Sequence, residues 1–266
     1  PRSTLERSSA ASDVYKRQLL GERHDSEAHH ARQLDVLKGL AALGAKPALA
    51  LEQLDSEYQA ALTQAQRAGQ TDAETLADAG QLNRKGWRWP MYKDLIAFAA
   101  QRQWPLYAAN LSRAEARKIA VGEVSPVLPA ATPEQQAALE DDVVQGHCGY
   151  RPAPALLAGI VAAQRARDAR MAQTLDAAGG PVVLIAGAGH VRSDRAVPRY
   201  LTEPARALAI AMVETSASRS QPADYDHAGF DLLWFTAAGP EQPDPCATPL
   251  PGLAAPLPSP NPNPKP

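Results

Sequence analysis

The chain has 266 residues, of which 45% are hydrophobic and 21% charged, and a formal net charge of −2. That length and apolar content allow one large core or two small ones. The near-neutral balance, without a long basic run, argues against a nucleic-acid partner, and no segment reaches the roughly 18 apolar residues of a membrane span.

Residues 1–17 carry no period and are expected to be a disordered or non-native leader, replacing any true leader peptide. Four apolar runs have the length and unbroken character of strands buried on both faces: Gln18–Gly21, Ala48–Leu51, Leu106–Ala109 and Val182–Ala186. Ala207–Val213 and Leu232–Phe235 follow as two more. Between the runs lie helical patterns. The first spans Ser26 to Leu43, with Asp25 or Ser26 as N-cap and Gly44 closing it. Capping boxes at Ser56/Gln59, Thr71/Glu74, Ser112/Glu115 and Thr132/Gln135 mark further starts, the last with Pro133 in the first turn. A long helix is expected from about Pro154 to Ala178, ended by Gly179-Gly180.

Strand–helix–strand alternation predicts an α/β fold, a mostly parallel open sheet flanked by helices. Residues 112–178 contain no strand and form a helical insertion expected to act as a lid. The main domain then covers 18–237. Residues 238–266 are Pro-rich and expected to be a disordered tail. There are two cysteines, Cys148 and Cys246; one disulfide is possible, but a disulfide framework is not expected with Cys246 in that tail.

Each of the first four runs ends in polar residues. In a parallel sheet those ends share one edge, where ligands bind. Glu22, His24, Glu52, Asn110 and His190 should therefore converge. Gly21-x-x-His24 and Gly187-x-x-His190 repeat one short pattern, in which glycine permits a tight strand exit. Buried carboxylates need partners. These could satisfy one another as a structural network, bind a divalent metal through Glu22, His24, Glu52 and His190, or serve a hydrolase in which a histidine activates water. Of the other histidines, at least one of His29 and His30 is expected to be solvated, and His227 lies in a polar loop. The Arg165, Arg167 and Asp168 group is read as a salt-bridged helix face that could also bind anionic groups. No P-loop, dinucleotide fingerprint or nucleophile elbow occurs.

The segments LLGERHDSEAHH (19–30), LALEQLD (49–55), LYAANLSR (106–113), HCGYRP (147–152), AQRARDARMA (163–172) and IAGAGHVRSDRAVP (185–198) together resemble the ChaN-like family of the Tiki/TraB/erythromycin-esterase superfamily. The resemblance implies an α/β core with a helical insertion. It implies haem binding in bacterial iron uptake by an exported, periplasmic or outer-membrane lipoprotein, and a homodimer. Haem would then be held by His24 or His190 from the sheet edge and by His147 or Tyr150 from the insertion. Asn110 would line the site, with Arg151 and Arg192 as propionate partners. Across the wider superfamily the Gly-x-x-His elements and a glutamate serve metal binding or water activation, which keeps the hydrolase as the alternative.

Overall fold

The computed structural model describes residues 16–216, 218–219, 221–239 and 246–247. The expected leader and tail fall almost wholly outside them. Two compact units divide the described chain: residues 16–112 with 167–239, and residues 113–166 with 246–247.

The first unit is built on six strands, β1 (Arg17–Glu22), β2 (Ala48–Asp55), β3 (Leu106–Asn110), β4 (Val182–Gly187), β5 (Ala207–Glu214) and β6 (Leu232–Thr236). They lie in the order β3-β2-β4-β1-β5-β6, and every pairing is parallel. Successive residues of a strand face opposite sides, so one run can feed two cores. Leu20, Leu49, Leu51 and Ile185 pack against α1 (Glu27–Ala42), α2 (Gln59–Arg67), α3 (Ala73–Ala79) and α4 (Lys93–Gln101). Leu19, Ala50 and Leu184 point the other way, onto Met171, Ala172 and Leu175. Those three belong to a long helix (Pro154–Ala178), within which the boundary between the units falls. This double burial explains why the strands read as continuous apolar runs rather than alternating ones.

From β1 the chain moves toward β2 and β3, whereas from β4 it moves toward β5 and β6. Connections leaving neighbouring strands in opposite directions open a crevice at their carboxyl ends. The β1–β4 register brings Glu22 beside Gly187 at that crevice.

The second unit contains α5 (Arg113–Ala120), α6 (Pro133–Gly146) and the first part of α7 (Pro154–Ala178). Leu139 and Val143 pack there on Leu157 and Val161. The Thr132/Gln135 capping box forms as expected, with Pro133 in the first turn. Ser26, rather than Asp25, caps α1. Two expected boxes do not form. Gln59 instead pairs with β3, accepting from the Ala108 amide at 2.6 Å and donating to the Leu106 carbonyl at 3.1 Å. At α3 the cap is Asp72, which accepts from the Thr75 amide at 2.8 Å, one residue beyond the expected Thr71. Cys148 is bonded to Cys246 across 98 residues of sequence.

Candidate functional site

The strand ends bring Glu22, His24, Glu52, Asn110 and His190 to one edge of the first unit. Glu22 closes β1 with its side chain fully buried. Its carboxylate accepts from the Tyr92 hydroxyl at 2.5 Å, the Gln33 amide at 2.6 Å and the Gln53 amide at 3.3 Å. His24 Nδ1 lies 2.9 Å from the same carboxylate. Four donors to one anion offset its lost hydration. With Nδ1 held this way, the far edge of the His24 ring packs at Gly187, where an added Cβ would stand 3.0 Å from both Cε1 and Nε2, and the ring stands edge-on to Trp87 with centroids 4.8 Å apart. Burial disfavours the imidazolium of His24, but its hydrogen bond to Glu22 and the charges of Glu52 and Glu22 prevail and raise its pKa above 6.5.

Glu52 ends the apolar part of β2 and accepts from the Gly187 amide at 2.7 Å. His190 Nε2 lies 3.5 Å from Glu52, while its Nδ1 is 2.6 Å from Asp168. Burial again opposes protonation, but Glu52 and Asp168 outweigh it and hold the imidazolium up to about 9. Asn110 bridges two elements. It donates to the Glu52 carbonyl at 2.9 Å and accepts from Arg167 at 2.8 Å.

Two glycines make room for this packing. A Cβ on Gly21 would stand 2.5 Å from Val191 and 2.9 Å from the Ala188 backbone. A Cβ on Gly187 would meet the His24 ring at 3.0 Å. The repeated Gly-x-x-His pattern thus marks two strand exits that press against each other's histidine-bearing turns.

A cavity of about 550 Å³ opens at the edge, lined among others by Arg23, His24, His29, His190, Met212 and Arg219. Among the described residues no cluster of three or more histidine, cysteine, aspartate or glutamate side chains has metal-binding geometry. The alternative reading of Glu22, His24, Glu52 and His190 as a divalent site thus finds no support there. The oxygens of Glu22 are taken by four donors, and both ring nitrogens of His190 face carboxylates, Glu52 and Asp168.

Other expectations need correction. His29 and His30 are both buried, at 1% and 6% exposure. His30 Nε2 holds the His24 carbonyl at 3.1 Å, and His29 Nδ1 accepts from the Arg23 amide at 2.9 Å. Asp168 Oδ1 lies 2.6 Å from His190 Nδ1, and Arg167 reaches Asn110 and the Leu111 carbonyl. Arg192 is nine-tenths buried and engaged by Asp194 at 2.9 Å and Asp226 at 2.8 Å, so its guanidinium faces two carboxylates already.

His147, Tyr150 and Arg151 belong to the second unit. His147 caps α6, its Nδ1 2.7 Å from the Val143 carbonyl. Arg151 lies 3.2 Å from Glu140 and 3.6 Å from Asp141. Sequence reasoning missed Tyr92, Gln33 and Gln53. The first sits at the end of the segment WRWPMY (87–92), whose dense aromatics were the available signal; the two glutamines gave none.

Comparison with known proteins adds three findings. The family described as haem-binding uptake, Tiki superfamily, ChaN matches residues 11–201. A search of curated proteins found no match. Among solved structures, one titled "Cofacial heme binding to ChaN of Campylobacter jejuni" is 25% identical, covers 79% of this chain and 86% of its own, and superposes with a TM-score of 0.66. The type III effector HopBA1 is 14% identical, covering 83% of this chain and 87% of its own, with a TM-score of 0.42. A Bacillus cereus protein is 12% identical, covering 80% and 70%, with a TM-score of 0.41.

Proposed function

The chain belongs to the ChaN family of haem-binding uptake proteins in the Tiki superfamily, and from that premise we propose that it binds haem at the carboxyl edge of the sheet with His24 as axial ligand. The observation that carries this reading is the state of His24. A carboxylate fixes its Nδ1, its side chain is 43% exposed, and it borders a cavity of about 550 Å³. An imidazole tied down at one nitrogen presents the other as a ligand of defined orientation and raised basicity. Met212, Val213 and Ala188 give the cavity apolar wall, and Arg219 gives a cation for a propionate. Haem iron, when bound, supplies the coordination position that this imidazole fills.

His190 suits the role less well, because both its nitrogens face carboxylates. The same fact weighs against the hydrolase reading. With a pKa near 9, His190 is protonated at neutral pH and cannot accept a proton from water. His147 and Tyr150 of the second unit are the competing axial donors. The Campylobacter jejuni relative's cofacial haem binding supports a paired arrangement in a homodimer here. The Cys148–Cys246 disulfide supports folding in an oxidising compartment, in keeping with an exported uptake protein.

A haemin titration followed by absorbance tests the reading. Wild type should give a saturable Soret shift. His24→Ala should weaken binding at least tenfold, and His147→Ala and Tyr150→Phe should leave it within threefold. Binding should strengthen as pH rises through the range in which His24 loses its proton, since only the neutral ring ligates iron. If His24→Ala is silent and Tyr150→Phe abolishes the shift, the ligand lies in the second unit.

A further inference from the structure

We propose that the loop between α5 and α6, with the basic face of α5 that leads into it, docks on a bilayer rich in anionic phospholipid. Among the described residues seven large hydrophobic side chains are left exposed, and four of them, Val121, Val124, Val127 and Leu156, belong to the second unit. The three valines recur at every third residue of one loop, and Val127 is wholly bare. Apolar side chains gathered in this way mark a surface that something else covers. The loop is held at both ends. A Cβ on Gly159 of α7 would collide with the Ala120 carbonyl, so α7 presses on the residue just before Val121. At the far end the Arg165 guanidinium of α7 donates to the Pro129 carbonyl. Between these anchors Val124, Pro126 and Leu128 share with Ala155, Gly159 and Ala162 the lining of a cavity of about 440 Å³, which keeps the loop from closing flat on the helix.

Charge selects the partner. α5 runs straight into the loop and exposes Arg113, Arg117 and Lys118. None of the three enters an ion pair among the described residues, whereas Arg84, Arg151 and Arg192 all do. Glu115 and Glu123 are the acids of this stretch; the others of the unit, Glu134, Glu140, Asp141 and Asp142, lie on α6. Unpaired cations beside bare aliphatic side chains suit a membrane surface: the cations meet anionic headgroups, and the valines enter the acyl boundary below them. A protein partner calls for aromatic anchors and disfavours lysine, and residues 121–132 contain no aromatic side chain. The inference stands apart from the haem reading.

The test uses the full-length chain and sedimentation with vesicles, made either of phosphatidylcholine alone or of equal parts phosphatidylcholine and phosphatidylglycerol. The mixed vesicles should capture the chain at least tenfold more tightly, and added salt should weaken that capture. Val127→Asp, at a bare position where the core is untouched, should weaken it at least tenfold, and Arg117→Gln/Lys118→Gln at least threefold. Leu43→Asp, at an exposed apolar site of the first unit, should leave it unchanged. Val127→Trp should retain capture, and brominated acyl chains should quench its fluorescence beyond the wild-type level, which reports entry of the loop into the bilayer. Equal capture by both kinds of vesicle, or capture by the mixed vesicles that Val127→Asp leaves intact, overturns the proposal. So does a sedimentation-velocity result in which the lipid-free wild type is a dimer and Val127→Asp a monomer, which assigns the valines to a second copy of the chain.

Discussion

His190 shows how one imidazole can tie a site's electrostatics to the stability of the protein. Between Glu52 and Asp168 its pKa rises from 6.5 to about 9, against the pull of burial. A group that binds its proton more tightly when folded stabilises the fold while that proton is present. The contribution is full below about pH 6.5 and is lost as pH climbs through 9; by linkage it is of the order of 3 kcal/mol. His24, raised in the same direction, adds a slope of the same sign. Urea unfolding at pH 6 and at pH 9.5 should therefore show a markedly less stable protein at the higher value, and His190→Gln should remove most of the difference. Equal stability of the wild type at both pH values would mean that His190 is neutral in the fold, which would restore it as a candidate base. The partners of His190 also mark the limit of sequence reading at this scale. Its place at the end of a buried strand was legible. Asp168 as its counter-ion was not, because the spacing Arg165–Arg167–Asp168 fits a salt-bridged helix face equally well, and only the fold turns Asp168 toward β4.

Among the elements, the exits of β1 and β4 do the positioning. The two Gly-x-x-His turns are packed so closely that a methyl group on Gly21 would stand 2.5 Å from Val191 and 2.9 Å from the Ala188 backbone. A side chain could yield to the first contact, but the second requires the 3-10 turn Ala188–Val191, which carries His190, to move. Gly21→Ala is expected to cost about 2 kcal/mol, in the range of overpacked cores. Val191→Ala placed on that background should restore part of the loss, and a double-mutant cycle by denaturant unfolding measures the coupling. Additive effects would show that the turns do not touch as described. The strands themselves were readable because burial on both faces leaves an unbroken apolar run, and all six run parallel as that pattern implies. Helix starts were less readable. Ser56/Gln59 satisfies a capping box in spelling, yet the Gln59 side chain does more for the molecule by pairing with the backbone of β3, an edge strand. Thr71 lost its place to Asp72, an equally good cap one residue on.

For the whole molecule, the Cys148–Cys246 bond closes a long stretch of chain, and that stretch includes β4, β5 and β6. Sequence left this pairing open because Cys246 sits among prolines and no spacing rule links the two residues. In the chain-entropy account, a closed loop of about 100 residues restricts the unfolded ensemble by about 5 kcal/mol. Reduction should therefore lower the denaturation midpoint, and the Cys148→Ser/Cys246→Ser double variant should match the reduced wild type without responding to reductant itself. Iodoacetamide labelling of the denatured chain, read by mass spectrometry, checks the bond directly: no label before reduction, two after. The flanking residues give the bond a bearing on function, since Cys148 stands between His147 and Tyr150, the two axial donors that compete with His24. If the haemin Soret shift survives in the double Ser variant, ligation does not depend on the constrained turn, which favours His24. If the shift disappears while the sheet unit stays folded by circular dichroism, the disulfide-bonded turn supplies the ligand, and the sheet-edge site must be assigned to another group of the haem or to another molecule.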